Sequence, residues 1–315
     1  MLTPYLAMGY LRAVMFNKEY SPRCLSLTNY IIGMNPAHYT VWLYRFELVE
    51  ALHVPVDLEI EWLNKVALAH LKNYQIWHHR QNLLELAIQA LPDDASARAA
   101  AVEKLARSEV AFLTRMLDAD TKNYHVWSYR QRLVGKLGLW PSNAPLGPDE
   151  LAATMKLIEA DVRNNSAWSH RFYLVFSDPA ICTGELSALV ADPKVPADVI
   201  DCELELAKQH IRKAPQNQSG WNYMRGVLAK GGRRFEELVP FALEFVELGG
   251  GVKGEDDDDK KEDVVRSSHA LELLADHFEQ KGDRTEAFRY WDLLIGKWDA
   301  VRAGYWQYRK KQIGE

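Results

Sequence analysis

The amino-acid sequence predicts an all-α protein built as a solenoid of about seven antiparallel helical hairpins. A tryptophan-centred motif recurs along the chain, Ala, Leu, Glu, Lys and Arg are abundant, and long alternating runs rich in Val, Ile and Thr are missing. Such repetition is typical of stacked helical hairpins, and this residue usage favours helix over strand. Hydrophobic residues make up 48% of the 315 residues, enough for a substantial core. We expect a single helical-repeat domain over residues 1–315.

The repeat has the consensus Asn-Tyr-x-x-Trp-x-x-Arg-x-x-Leu, followed by Val or Leu. The fifth copy carries Met224 where the others carry Arg, and the last copy is weaker. A single Trp-x-x-Arg would mean nothing, whereas five good copies in one chain are a specific signal. The repeat cores lie near residues 38–49, 73–84, 123–134, 164–175, 217–228 and 303–313.

The spacing of the repeat tryptophans predicts one degenerate copy near the C-terminal end. The interval from Trp221 to Trp306 is about twice the other intervals, so one copy there has lost its tryptophan. The segment Val264–Phe288 is predicted to form the corresponding pair of helices. With that copy counted, the mean interval falls in the range of two-helix solenoid units.

Each repeat core has the features of a helix start. Asn is a good N-cap because its side-chain oxygen accepts an orphan backbone N–H. Trp and Arg three residues apart share one helix face. We expect the Trp to fill the core between hairpins and the Arg fork to bind loop carbonyls or carboxylates. The predicted caps are Asn73, Asn123, Asn164 and Asn217, and the predicted structural residues are Trp77, Trp127, Arg130, Trp168 and Arg171.

Composition excludes several classes of protein. The net charge of −5 gives no electrostatic footprint for nucleic acid. No apolar run approaches the roughly 20 residues of a membrane helix. The three cysteines lack metal or redox spacing, which suggests free thiols in a reducing compartment, so we expect a cytoplasmic protein. Residues 249–263 are rich in glycine and then strongly charged, and they predict a mobile acidic loop at the surface.

The repeated unit resembles the protein prenyltransferase α-subunit repeat. The resemblance covers nearly the whole chain, and it is closest to the α subunit shared by farnesyltransferase and geranylgeranyltransferase type I. It is carried by YLRAV near the start and by HYTVW, KNYQIWHHR, DTKNYHVWSYR and DVRNNSAWSHR.

The resemblance implies a crescent-shaped, right-handed superhelix wrapped around a catalytic β subunit in an obligate heterodimer. The β subunit would hold a Zn²⁺ ion, and Mg²⁺ would accompany the diphosphate. The enzyme would move a farnesyl or geranylgeranyl group from its diphosphate to the Cys of C-terminal CaaX sequences, as in small GTPases. This sequence shows no metal-ligand spacing and no phosphate-binding glycine loop of its own, so no metal site is predicted in the chain.

The same resemblance predicts the site residues. Lys122, just before an Asn-Tyr pair, would stabilise the negative charge of the departing diphosphate. Tyr124 would lie at the start of the helix that follows Lys122 and would act as a second catalytic residue. Tyr74, His125 and Asn164 are predicted to contact substrate, although capping explains Asn164 equally well. Lys72 also stands just before an Asn-Tyr pair, one repeat earlier. The chemistry of the side chain therefore does not distinguish the two lysines, and Lys122 is chosen because its position matches that of the family's lysine.

Two other functions compete with this one. The α subunit of the Rab geranylgeranyltransferase has the same repeat, but the Tyr of the Asn-Tyr pair and the N-terminal YLRAV favour the CaaX enzymes. A non-enzymatic scaffold of tetratricopeptide type would show a 34-residue period with small residues at fixed places. Neither feature is present in the sequence. The choice between farnesyl and geranylgeranyl would be made by the partner and is not encoded in this chain.

Overall fold

A computed structural model describes residues 3–185, 187–248 and 263–314 of the chain. Within these ranges two short antiparallel strands, Val246–Glu247 and Val264–Val265, pair with one another. The predicted acidic loop falls outside the described residues, except for Asp263. Everything else that is regular is helical: α1 Pro4–Phe16, α2 Pro22–Met34, α3 Tyr39–Ala51, α4 Val56–Ala69, α5 Tyr74–Gln89, α6 Ala95–Ala119, α7 Tyr124–Leu137, α8 Leu146–Ala160, α9 Asn165–Phe176, α10 Ala197–Lys213, α11 Gln218–Lys230, α12 Val239–Leu243, α13 Ser268–Lys281, α14 Arg284–Leu293 and α15 Ala303–Gly314, with 3₁₀ turns at Phe235–Leu238 and Ala300–Arg302 and a π-helical turn at Leu294–Trp298.

The helices form seven successive hairpins after α1, which confirms the predicted all-α repeat fold. The first helices of the hairpins are the even-numbered ones from α2 to α14, and the second helices are the odd-numbered ones from α3 to α15. The chain groups into two compact units, Met1–Glu150 and Leu151–Glu315. The single domain over residues 1–315 stays a prediction.

The second helices begin in the way that the repeated asparagines predict. The side-chain oxygens of Asn73, Asn123, Asn164 and Asn217 accept backbone N–H groups in the first turns of α5, α7, α9 and α11. Two of these side chains also donate from Nδ2 to a carbonyl of the preceding repeat: Asn123 to Leu71 at 2.8 Å and Asn217 to Val162 at 2.7 Å. One amide therefore starts a helix and fastens it to its neighbour.

The repeat tryptophans are buried between hairpins, and most of them also close the turn that precedes their helix. The indole N–H of Trp127 donates to the carbonyl of Thr121, six residues earlier, at 2.9 Å. Trp42, Trp168 and Trp221 make the same bond, and Trp77 has no such partner among the described residues. A large apolar ring thus fills the core while its polar edge is satisfied locally.

Carboxylates are the partners of the repeat arginines. In the first four copies each guanidinium binds both oxygens of a buried Glu on the first helix of the next hairpin, at N···O distances from 2.5 to 2.8 Å. This bidentate geometry suits the planar fork of arginine and would not suit lysine. The pairs are Arg45–Glu59, Arg80–Glu109, Arg130–Glu150 and Arg171–Glu203. Arg309 of the last copy pairs instead with Asp276 and Glu279 on α13.

The same glutamates also accept a hydrogen bond from their own hairpin. Tyr129 donates to Glu109 at 2.7 Å, and Tyr223 donates to Glu203 at 2.6 Å. Burial and the adjacent carboxylate raise the pKa of both phenols well above the usual value of 10, so they remain donors. Each of these carboxylates therefore joins two consecutive hairpins.

The degenerate copy is present, with a correction to its register. Ser267 precedes α13 and donates to the carbonyl of Pro215 at 2.6 Å, which is the bond that Asn217 makes one repeat earlier. Leu271, fully buried, therefore stands where the tryptophan would be. The two helices in Val264–Phe288 are thus the second helix of one hairpin and the first helix of the next. Spacing alone counts the copies but does not assign each helix to its hairpin.

Candidate functional site

Two neighbouring turns, residues 70–73 and 120–123, directly precede α5 and α7; we call them the paired turns. The second turn holds Lys122, and Tyr74, Tyr124 and His125 follow the turns at the starts of the two helices. Each turn is closed by a backbone bond, from Asn73 N to His70 O at 3.2 Å and from Asn123 N to Asp120 O at 3.1 Å. The Asn123 amide donates across to Leu71, and the Lys72 ammonium lies 3.6 Å from the Asp120 carboxylate. These contacts hold the two turns side by side.

Exposed aromatic rings form a cluster where α5 and α7 begin. The Tyr74 ring centroid lies 6.4 Å from that of His125 and 6.4 Å from that of His78, and Tyr124 lies 5.6 Å from His125. Tyr74 and Tyr124 are 65% and 76% exposed, so these contacts leave most of each phenol open. The structure therefore brings Tyr74, Tyr124 and His125 together, as their shared register predicts.

His78 also belongs to this cluster, although it is not one of the site residues predicted from the sequence. It lies four residues after Tyr74 on α5, and its ring stacks on the Tyr74 ring at an interplanar angle of 4°. Residues at i and i+4 share a helix face, so the spacing contained the signal. His79, the adjacent residue, points instead into the core, where its ring bonds Glu59.

Lys122 is exposed in its turn, directly before the Asn123 cap. Lys72 occupies the matching position in the other turn and is also exposed. Because the turns are fastened together, Lys72 lies beside the same site and is no remote equivalent of Lys122. Both ammonium groups thus belong to one small surface.

The electrostatics of this surface favour an anion. The N-terminal ends of α5 and α7 carry partial positive charge from their helix dipoles, although the cap asparagines accept some of the first N–H groups. Neither helix has an acidic residue in its first turn, where such a residue would offset that charge. Two lysines precede the same two helix starts. A phosphate or diphosphate group suits a site of this kind.

Asn164 lies in the other compact unit and is almost fully buried. Its oxygen accepts the N–H groups of Ser166 and Ala167, which explains its presence as the cap of α9. Trp77, Trp127, Arg130, Trp168 and Arg171 are buried in the repeat core. Substrate contact by Asn164 stays a prediction.

In the described parts of the chain, no three or more His, Cys, Asp or Glu side chains are grouped so that they could hold a metal ion. Across the same residues, no helix is both long enough and apolar enough to cross a bilayer.

Comparison with known proteins places this architecture in context. The family described as protein prenyltransferase alpha subunit repeat matches residues 22–52, 56–87, 106–137, 148–178 and 200–231. Each range falls on one of the first five hairpins, from α2 to α11, although the long helix α6 begins well before its range. The repeat defined above by its Trp, Arg and cap residues is therefore the family's repeat.

Similar proteins share nearly the full length of the chain. A protein farnesyltransferase/geranylgeranyltransferase type-1 subunit alpha of Candida albicans is 36% identical, over 97% of this chain and 88% of that protein. The protein of the same name from Dictyostelium discoideum is 29% identical, over 98% of this chain and 84% of its own length. A solved structure, Candida albicans protein geranylgeranyltransferase-I complexed with GGPP, matches at a TM-score of 0.79 and 35% identity, covering 98% of this chain and 90% of that one.

Proposed function

The chain belongs to the protein prenyltransferase α-subunit family, and we therefore propose that it is the α subunit of a heterodimeric CaaX prenyltransferase. The enzyme would transfer a farnesyl or geranylgeranyl group from its diphosphate to the Cys of a C-terminal CaaX sequence. Relatives over nearly the whole chain are named as α subunits of farnesyltransferase and geranylgeranyltransferase type I. That likeness favours this group over the Rab enzyme, and the family match argues against a tetratricopeptide scaffold.

In this proposal the paired turns take the diphosphate. Lys122 and Lys72 supply positive charge at the departing oxygens, and the positive ends of the α5 and α7 helix dipoles add to it. Tyr124 donates a hydrogen bond to the same anion. Tyr74 and His125 lie beside it, where they would contact the peptide. The observation that carries this assignment is the fastening of the two turns by Asn123 and by the Lys72–Asp120 pair.

A catalytic β subunit is the proposed partner. It would hold the Zn²⁺ that activates the CaaX thiol, and Mg²⁺ would accompany the diphosphate. Tyr39, Tyr74 and Tyr124 stand at the first positions of α3, α5 and α7 and are 67%, 65% and 76% exposed. Exposed tyrosines are enriched at protein interfaces. We place the working heterodimer in the cytoplasm, which fractionation of cells would test.

The test is single-turnover transfer to a CaaX peptide by purified heterodimers carrying Lys122→Ala, Lys72→Ala or both. Loss of one preorganised donor should slow transfer by about 10²–10³, by analogy with an oxyanion hole. Turnover should fall more than isoprenoid affinity, because the charge develops in the transition state. Lys104→Ala, an exposed lysine on α6, is the matched control and should react normally.

The comparison of the two lysines refines the assignment. The larger rate loss marks the ammonium that lies nearer the departing oxygen, and the double variant should be at least as slow as the slower single variant. If both single variants and the double variant transfer at the unaltered rate, the paired turns do not act on the diphosphate. The same conclusion holds if failure to assemble is the only defect.

A further inference from the structure

A polar cavity of about 500 Å³ lies in the second compact unit, away from the paired turns in the sequence. One wall is the segment that follows α11, with Arg233, Arg234 and Glu236. The other wall is the last turn of α13, with His277, Gln280 and Lys281. Gly232 and Gly282 take left-handed backbone conformations, with φ of +61° and +76°, at the bends beside these walls. We call this cavity the basic pocket.

The charge in the basic pocket is only partly balanced. Arg234 binds both oxygens of Glu236 at 2.8 Å but is otherwise exposed to solvent. Arg233 is held by Asp201 at 2.7 Å and by Glu237 at 3.5 Å, both outside the pocket lining. Lys281 has no ion pair among the described residues. The lining thus has three cationic side chains and one carboxylate.

His277 gives independent support for a ligand. The residue is 5% exposed, its ring makes no hydrogen bond to any residue that the structure describes, and its ring nitrogens keep some contact with solvent. Its ring contact is with Phe278, at 5.2 Å between centroids. An imidazole with no protein partner depends on water or on a ligand for its hydrogen bonds. Burial and the nearby Lys281 charge lower the pKa of His277, and the Glu236 carboxylate opposes them only in part.

We infer that the basic pocket binds the phosphate group of a small soluble phosphate ester. The His277 ring, the Lys281 ammonium and the Arg234 guanidinium would donate to the phosphate oxygens, and Arg234 would exchange Glu236 for the ligand. Charge-assisted bonds from such groups to phosphate are the stronger kind of hydrogen bond. The cavity exceeds the size of a bare phosphate, so the remainder of an ester fits beside the Gln280 amide. This pocket has no part in the proposed prenyl transfer.

Calorimetric titration of the full-length chain with glycerol 3-phosphate and with orthophosphate tests the inference. Glycerol 3-phosphate should bind at one site and at least as tightly as orthophosphate. Lys281→Gln should weaken binding by about tenfold or more, the usual effect of losing one charge-assisted hydrogen bond. Lys213→Gln is the matched control, since Lys213 is the exposed last residue of α10 as Lys281 is of α13. His277→Gln should also weaken binding.

Thermal unfolding of each variant shows whether the fold is intact, and Lys281→Gln decides the matter if His277→Gln fails to fold. Saturable binding that is lost in Lys281→Gln and kept in Lys213→Gln supports the site. The inference is overturned if neither phosphate compound binds at tens of millimolar. It is also overturned if Lys281→Gln and Lys213→Gln bind alike.

Discussion

Arg80, Glu109 and Tyr129 form a buried charged triad that links the second and third hairpins. Arg80 and Glu109 are each 1% exposed, and the carboxylate accepts from both the guanidinium and the phenol. Desolvation of such a pair is costly, so its net contribution to stability is modest. Removal of one member is strongly destabilising, because the remaining charge stays buried without a partner.

Glu109→Gln should therefore destabilise the protein by about 3–5 kcal/mol, measured by chemical denaturation. Glu85→Gln is the control: Glu85 pairs with Arg132 and Lys136 at the surface, and exposed pairs are worth about 0–1 kcal/mol. Equal costs for the two substitutions would show that the triad is not sealed from solvent.

His79 and Glu59 make stability depend on pH. Burial lowers the pKa of His79, and its bond to Glu59 opposes this only in part. Burial would raise the pKa of Glu59, but hydrogen bonds from His79 and Arg45 outweigh it and lower the pKa. In both groups the folded pKa lies below the unfolded one, so the unfolded chain binds more protons and acid destabilises the fold.

The His79 contribution is present above its unfolded pKa of 6.5 and is lost as the pH falls through the folded value. His79→Gln should flatten the fall in unfolding free energy between about pH 7.5 and about pH 5.5, by up to about 1.4 kcal/mol per pH unit. His78→Gln is the control at the exposed neighbour: the His78 charge is only the last of the causes that lower the pKa of His79, so this variant should change the slope far less. If the slope of unfolding free energy against pH is unchanged in His79→Gln, other titrating groups cause the pH dependence.

At the scale of the helix, the cap asparagines differ in what they bind. Asn217 caps α11 and also donates to Val162, whereas Asn73 caps α5 and has no described partner for its Nδ2. Aspartate is an equally good cap but lacks that donor. A comparison of Asn217 with Asn73 therefore separates the effect of helix capping from the effect of the hydrogen bond between repeats.

Asn217→Asp should cost about 1–3 kcal/mol, because a buried carbonyl loses its partner and gains a nearby negative charge. Asn73→Asp should be close to neutral. The measurement is the midpoint and free energy of unfolding for the two variants. Equal effects would mean that the bond between repeats adds nothing beyond the cap.

Element boundaries followed from the sequence more readily than contacts between elements. Asn123 and Trp127 mark the start of α7 because caps and apolar faces are local features. The bond that pairs the turns joins residues 52 apart in sequence, and no local rule predicts it. For the same reason the Glu partners of the repeat arginines could not be identified beforehand. In sequence Lys72 lies one repeat before Lys122, and only the contacts between the two turns show that the lysines lie on adjoining turns.

The sixth hairpin shows the other limit. Leu271 replaces tryptophan and Ser267 replaces the cap asparagine, so the consensus is lost while the bond to Pro215 survives. In the fifth copy Met224 fills the arginine position, and Arg225 one residue later reaches Asp276 at 2.5 Å. Different residues can make equivalent contacts between repeats, and the spacing of the consensus residues does not reveal such replacements.

At the scale of the whole molecule, the proposed function implies a partner subunit. The repeat supplies charge and exposed tyrosines at the paired turns, while the described residues bring together no metal-binding cluster. An obligate complex should bury well above roughly 2,000 Å² of surface in total. The chain by itself should show no prenyl transfer.

The most direct test is co-expression of this chain with a β subunit of the farnesyl or geranylgeranyl type, followed by purification and a CaaX-peptide transfer assay. We predict a stable one-to-one complex that contains zinc and transfers an isoprenoid, with no activity from the chain alone. The chain length of the isoprenoid should follow the β subunit supplied. Failure to form a complex with either type of β subunit, or prenyl transfer by the isolated chain, would contradict the account.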